Sequence, residues 1–181
     1  MLNPSQQQAV GASDRFLMVI AGAGSGKTRV ISERIRRLIG EGVPPEDILA
    51  LSFTRKAAAE MKTRIGHHGV ITSTFHAWCL SVLKETKGEI TLYDGSDKAF
   101  SREQTLSVSL YKNSNRTRRR PRIMDAYDAH LASLQALDHD DILLEALQLL
   151  RSDNTRSVPS HILIDEFQDT NPLQFSIIKA M

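Results

Sequence analysis

Four short, nearly continuous apolar runs punctuate the chain, at residues 16–21, 48–53, 70–74 and 161–164. Runs of that length without polar alternation suit strands of a parallel sheet covered on both faces. Between them the period changes. Val30, Ile31, Ile35, Leu38 and Ile39 fall at three- and four-residue spacing, one buried helix face, which Gly40, Gly42, Pro44 and Pro45 then stop. Residues 57–65 and 77–83 predict two more helices. Asp138 caps another, burying Ile142, Leu143, Ala146, Leu147 and Leu150. Asn171 and Pro172 open a last one, with Leu173, Ile177 and Ile178 on its apolar face. Strands alternating with helices predict an α/β fold with a mostly parallel sheet flanked by helices.

Residues 84–123 break this pattern. They carry Gly88, Gly95, many Ser and Asn, and the run KNSNRTRRRPR, in which Lys112, Arg116, Arg118, Arg119, Arg120 and Arg122 stand without an acid. The stretch reads as an insertion or linker outside the core.

Composition narrows the classes. With 181 residues, 41% hydrophobic and 24% charged, the chain can fold around a core and is not wholly disordered. Its longest apolar run, residues 16–21, is far short of the roughly 20 residues a membrane helix needs, so no membrane partner is expected. The N-terminus lacks the basic-then-apolar order of a signal peptide. Cys79 is the single cysteine, which fits a reducing compartment, most simply the cytoplasm. The net charge of +2 hides an asymmetry: residues 1–122 hold 20 basic and 11 acidic side chains, residues 123–181 hold 3 and 10. A polyanion-binding front would look like this. The last helix runs to Met181 without a cap or polar tail, as expected of a chain cut in mid-domain.

Two motifs carry chemistry. Residues 21–28, AGAGSGKT, lie between an expected strand and an expected helix. Gly22, Ala23, Gly24, Ser25 and Gly26 can wrap backbone N–H groups around phosphates, helped by the dipole at the helix start. Lys27 would reach the β- and γ-phosphates of ATP, and the Thr28 hydroxyl would ligate Mg²⁺. Ala21 stands where the motif usually has glycine. The second motif, ILIDE at 162–166, puts Asp165 and Glu166 at the C-terminal end of a strand, the sheet edge where α/β ligands bind. Asp165 suits the Mg²⁺ shell, and Glu166 suits a base for the attacking water. His76 with Cys79 is too small a set for zinc. Asp138, Asp140 and Asp141 lack the glycine and terminal glutamate of a calcium loop and suit a helix cap instead.

LNPSQQQAV, AGAGSGKTRV, ALSFTRKAAAEM, TSTFHAWC, LDHDDILLEAL and ILIDEFQDTN, in this order over residues 2–171, resemble the UvrD/Rep family of superfamily 1 DNA helicases. The resemblance implies a RecA-like P-loop motor domain at 1–83 and 136–181, with a short inserted subdomain at 84–135. It implies ATP hydrolysis coupled to 3′-to-5′ movement on single-stranded DNA. Gln6 matches the glutamine that recognises adenine, although Asn3, Pro4 and Gln6 also make a helix cap. Arg29 matches a residue near the base. Phe53, Thr54 and Arg55, and again Thr74, Phe75 and His76, match segments that touch single-stranded DNA, with Arg55 where most relatives carry Asn. The arginine run falls in the insertion, where contact with duplex DNA phosphates and a solvated loop both remain open.

Family members also have a γ-phosphate-sensing motif and a second motor domain supplying arginines. Without those arginines roughly 10³–10⁵ of rate is lost. The 181 residues alone are therefore expected not to unwind DNA. They are also expected to lack the sheet strand between the phosphate-loop strand and the Asp-Glu strand, and so to aggregate or self-associate. A nucleotide- and DNA-binding module without useful turnover is the alternative. A P-loop NTPase acting away from DNA is a third.

Overall fold

The computed structural model describes residues 2–22, 24–152 and 158–181. In chain order it contains α1 (Pro4–Gly11), α2 (Lys27–Gly40), β1 (Ile48–Ser52), α3 (Arg55–Ile65), β2 (Ile71–Thr74), α4 (Phe75–Lys87), β3 (Thr91–Leu92), α5 (Arg102–Asn113), α6 (Met124–Ser133), β4 (Ala136–Leu137), α7 (His139–Arg151), β5 (His161–Ile164) and α8 (Pro172–Ala180). They divide between two compact units, Met1–Thr74 with Val158–Gln168, and Phe75–Ser157 with Asp169–Met181.

The first unit is built on a three-stranded parallel sheet in the order β2-β1-β5. β1 is buried at all its positions because it is the middle strand, with Leu51 opposite Ser73 on one side and Ile164 on the other. The apolar run at 48–53 thus reports a strand covered on both faces. Ile35 of α2 and Met61 and Ile65 of α3 pack with Ile48, Ala50 and Val70 into one core, and Leu163 of β5 lies against it. Thr54 caps α3 by accepting the Ala57 N–H at 3.1 Å. α1 starts in a reciprocal cap between Asn3 and Gln6. The carbonyls at the other end of α1 meet guanidinium groups from α2. Arg34 donates to Ala9, Val10 and Ala12, the last at 2.7 Å, and Arg37 donates to Val10 at 2.7 Å. These bonds satisfy a helix end that would otherwise leave acceptors without partners.

The expected strand at 16–21 is not formed. A strand needs a free edge beside it. Both edges of β1 are taken, and no described residue pairs with residues 16–20 or with the far edge of β5. Phe16, Met18 and Ile20 are 86%, 67% and 91% exposed. Apolar character in this run therefore marks a segment able to pair, and not one that is buried here.

In the second unit α7 packs against α4, α5 and α8, and buries Ile142, Leu143, Ala146, Leu147 and Leu150 as the spacing predicts. The linker reading of residues 84–123 is corrected. Ser101 and Gln104 form a reciprocal cap that starts α5. Val108 of α5 joins Met124, Tyr127 and Leu131 of α6 in a separate core, with Tyr93, Phe100 and Tyr111 against it.

A fully buried lysine ties these helices together. Lys112 Nζ lies 2.8 Å from Asp138 Oδ2 and 2.6 Å from Asp141 Oδ1, and Tyr127 donates to Asp138 at 2.9 Å. Asp138 and Asp141 also form the cap of α7, so one charge cluster pins α5, α6 and the start of α7. Burial pushes Asp138 upward, but Lys112 and the hydrogen bonds outweigh it and hold the carboxyl below its usual range. Burial and the nearby Asp138 charge leave Asp141 raised.

Lys112→Met strands the buried Asp138 and half-buried Asp141 carboxylates and should cost about 3–5 kcal/mol in urea unfolding at pH 7. The cost should shrink at pH 5. The wild type loses stability as pH falls toward the depressed Asp138 pKa, whereas carboxyls stranded side by side titrate upward and the variant gains as they protonate. A loss below about 1 kcal/mol, or one independent of pH, contradicts this account.

Candidate functional site

In the first unit the loop before α2 meets the end of β5. Gly26 is the N-cap of α2 with φ +87°, and Gly24 has φ +70°, both in the left-handed region. A side chain at Gly26 would in addition bring a Cβ to 3.1 Å from Gln6 Nε2. The Ser25 N–H donates to the Gly22 carbonyl at 3.3 Å, a tight turn leading into the helix. Ala23 lies outside the described residues.

Gln6 is tied to this loop: its Nε2 donates to the Ser25 carbonyl at 2.9 Å, while its Oε1 accepts the Asn3 N–H. The cap and the contact with the Ser25 carbonyl thus meet in one side chain. Its amide is held beside the phosphate loop because the cap holds it there. Arg34 and Arg37 anchor the far end of α1, and so act on Gln6 through the helix. Sequence reasoning missed both, since arginines on a helix face look the same whether they meet water or another helix's carbonyls.

Lys27 opens α2, and its Nζ lies 3.4 Å from the carbonyls of Ala21 and Gly22. The same Nζ is 3.9 Å from Glu166 Oε2. Thr28 donates its hydroxyl to Asp165 Oδ2 at 3.1 Å, although the two residues stand 137 positions apart. Asp165 is buried, and its N–H continues the sheet pairing by donating to the Leu51 carbonyl at 2.9 Å. Glu166 takes φ +53°, a left-handed conformation uncommon for a residue with a side chain, and Gln168 donates to its Oε2 at 2.6 Å. The two motifs are therefore one constellation: an ammonium, a hydroxyl and two carboxylates around the start of a helix.

That donor set fits Mg²⁺ with a nucleotide. A hydroxyl and one carboxylate would be a poor cage alone, but Mg²⁺ keeps several waters and takes phosphate oxygens as further ligands. Among the described residues no group of three or more His, Cys, Asp or Glu gathers into a metal site. Ser32 buttresses the helix by donating to the Thr28 carbonyl at 2.9 Å. Arg29 follows Thr28 on the exposed side of α2.

The segments expected at DNA are placed less uniformly. Thr54 is exposed at the N-cap of α3, Arg55 is exposed at its first position, and Phe53 is half-buried just before them. Thr74 closes β2 and is half-buried. In the second unit Phe75 begins α4 with its ring 1% exposed, so it serves packing and offers no open face. His76 stacks edge-on with His139 at 5.9 Å. Burial, then the neighbouring His139, lowers its pKa against the pull of Asp140. Cys79 is buried and its thiol is pushed up to about 12 by that burial, which removes it from nucleophilic chemistry.

The model of the UvrD/REP helicase N-terminal domain matches residues 2–99 and 89–181. The chain belongs to this family. Among its relatives, the ATP-dependent DNA helicase Rep of Escherichia coli (strain K12) is 36% identical over 228 aligned residues, covering 99% of this chain and 34% of Rep. The probable DNA helicase II homolog of Mycoplasma capricolum subsp. capricolum is 34% identical, covering 100% of this chain and 32% of its own length. The ATP-dependent DNA helicase UvrD1 of Mycobacterium tuberculosis (strain H37Rv) is 30% identical, covering 99% and 30%. The chain spans about a third of the length of the curated relatives it matches. The α/β fold is that expected of such a motor domain. No helix among the described residues is long and apolar enough to cross a membrane.

Proposed function

We propose that the constellation around Lys27 binds Mg²⁺-ATP and that this chain is the ATP-binding motor part of a DNA helicase. The observation that carries the reading is the 3.1 Å contact between Thr28 and Asp165, which joins a phosphate loop to a carboxylate from a distant strand. Lys27 exchanges its contacts with the Ala21 and Gly22 carbonyls for phosphate oxygens. The backbone N–H groups at the start of α2 hold the same phosphates. Thr28 and Asp165 supply two oxygens for Mg²⁺, which when bound would neutralise charge on the phosphates. Glu166, oriented by Gln168, accepts a proton from the attacking water. Gln6 and Arg29 face the base. Phe53, Thr54, Arg55, Thr74 and His76 are the proposed single-strand contacts, with hydrolysis driving 3′-to-5′ movement in the longer assembly its relatives represent.

Phosphate release from Mg²⁺-ATP, measured with and without single-stranded DNA, tests this reading. Turnover should rise with DNA, fall at least 100-fold in Glu166→Gln with nucleotide binding retained, and vanish in Lys27→Ala together with tight binding. Binding without turnover in the wild type would leave a nucleotide-binding module. Turnover indifferent to DNA would point to an NTPase working elsewhere.

The exposed run at 16–20 and the edge of β5 that no described residue pairs with also support self-association. Light scattering of the 181-residue chain should show species larger than a monomer. A monodisperse monomer at about 10 µM contradicts it.

A further inference from the structure

α1 is an eight-residue helix in which no residue is buried and no side chain carries a charge. A helix that short is marginal in water, and this one has no core-facing side to hold it. What fixes its two ends is polar. At the start, Gln6 Nε2 donates to the Ser25 carbonyl at 2.9 Å. At the finish, Arg34 Nη1 donates to the carbonyls of Ala9, Val10 and Ala12, and Arg37 Nη1 donates to that of Val10. Every anchor belongs to α2 or to the turn before it, so α1 lies along α2 with its ends tied in the same order.

The two guanidiniums are not equivalent. Arg37 is shared, with its Nε 2.6 Å from Glu41 Oε1. Arg34 has no ion pair among the described residues, and the hydrogen bonds it makes there all go to the end of α1. A cation at that place also answers the negative end of the helix dipole, for which α1 has no basic residue of its own in its last turn.

Gln6, at the other end, is only partly used. An amide side chain offers two donor hydrogens and two acceptor lone pairs. The Ser25 carbonyl takes one donor, and the Asn3 N–H takes one lone pair. One donor and one acceptor remain on the same planar group. That pair matches the N7 acceptor and N6 donor of adenine, but meets two acceptors, N7 and O6, on guanine. The distinction needs the amide held at one angle, because a freely turning glutamine can offer its donor to either base.

We propose that Arg34 and Arg37 are positioning residues for base selectivity: by clamping the far end of α1 they fix the angle of the Gln6 amide, and so set a preference for ATP over GTP without touching the nucleotide. The inference rests on the Lys27 constellation being an ATP site. Phosphates would be held at the first turn of α2, about two helical turns from Arg34 and about three from Arg37. Phosphate affinity is therefore independent of the clamp, which acts on the base alone.

The test displaces a ribose-labelled fluorescent ADP from the 181-residue chain with ATP or GTP in Mg²⁺, and takes the ratio of the two dissociation constants. A bidentate base contact separates the right base from the wrong one by roughly 5- to 150-fold, so the wild type should prefer ATP by about ten-fold or more. Gln6→Ala should bring the ratio near one. Arg34→Met keeps the aliphatic stem and removes the bonds to α1. It should lose the preference as well while GTP affinity stays close to that of the wild type, which a general loss of fold would not give. The double variant should lose no more than Gln6→Ala alone, because the arginine acts only through the glutamine. Arg37→Met removes the other guanidinium and should lower the ratio independently. Hydrogen exchange of the peptide covering residues 4–12 should quicken in Arg34→Met while that of α3 is unchanged. A wild type that binds neither nucleotide overturns the ATP-site reading and the clamp with it. A wild type that binds both alike, an Arg34→Met variant that keeps the preference Gln6→Ala loses, or losses that add in the double variant overturns the clamp alone.

Discussion

One hydrogen bond ties the acidic half of the proposed nucleotide site to the sheet. The Asp165 N–H reaches the Leu51 carbonyl at 2.9 Å, one position beyond the last paired residue of β5. Leu51 belongs to the strand that is buried throughout, so the acidic end of β5 takes its position from the best-packed backbone of the unit. From there Asp165 meets Thr28, and Glu166 comes within 3.9 Å of Lys27. The parallel sheet thus performs the step that chemistry requires, bringing a carboxylate pair to a helix start from the other end of the chain.

The second unit depends on a different constraint. A lysine with no exposure must be neutralised where it sits, because an unpaired buried cation is far costlier than the pair. Asp138 and Asp141 do this while capping α7, and Tyr127 completes the set from α6. Asn113 extends the polar seam, donating to Asp140 at 2.8 Å and accepting from Asn171 at the start of α8, also at 2.8 Å.

The glycine turn before α2, β1, β2, β5 and the capped helices α7 and α8 were legible because each rests on a local signal, a period or a cap chemistry that the neighbouring residues alone determine. Residues 16–21 misled because strand formation is a property of a pair. The run has the composition of a strand, but no described segment supplies the matching edge. α5 and α6 escaped notice because their apolar signal is thin and their central buried residue is Lys112, which reads as surface. The roles of Arg34 and Arg37 were hidden for a related reason. Side chain-to-backbone contacts between helices leave no period in the sequence.

The central claim is that Thr28 and Asp165 act together on one metal-bound nucleotide. A double-mutant cycle measures that directly, with Thr28→Val, Asp165→Asn and the pair titrated with ATP by calorimetry, in Mg²⁺ and again in EDTA. Each single change should weaken binding only when Mg²⁺ is present, and the pair should lose little more than the worse single. Additive losses, or equal losses in EDTA, would contradict the account.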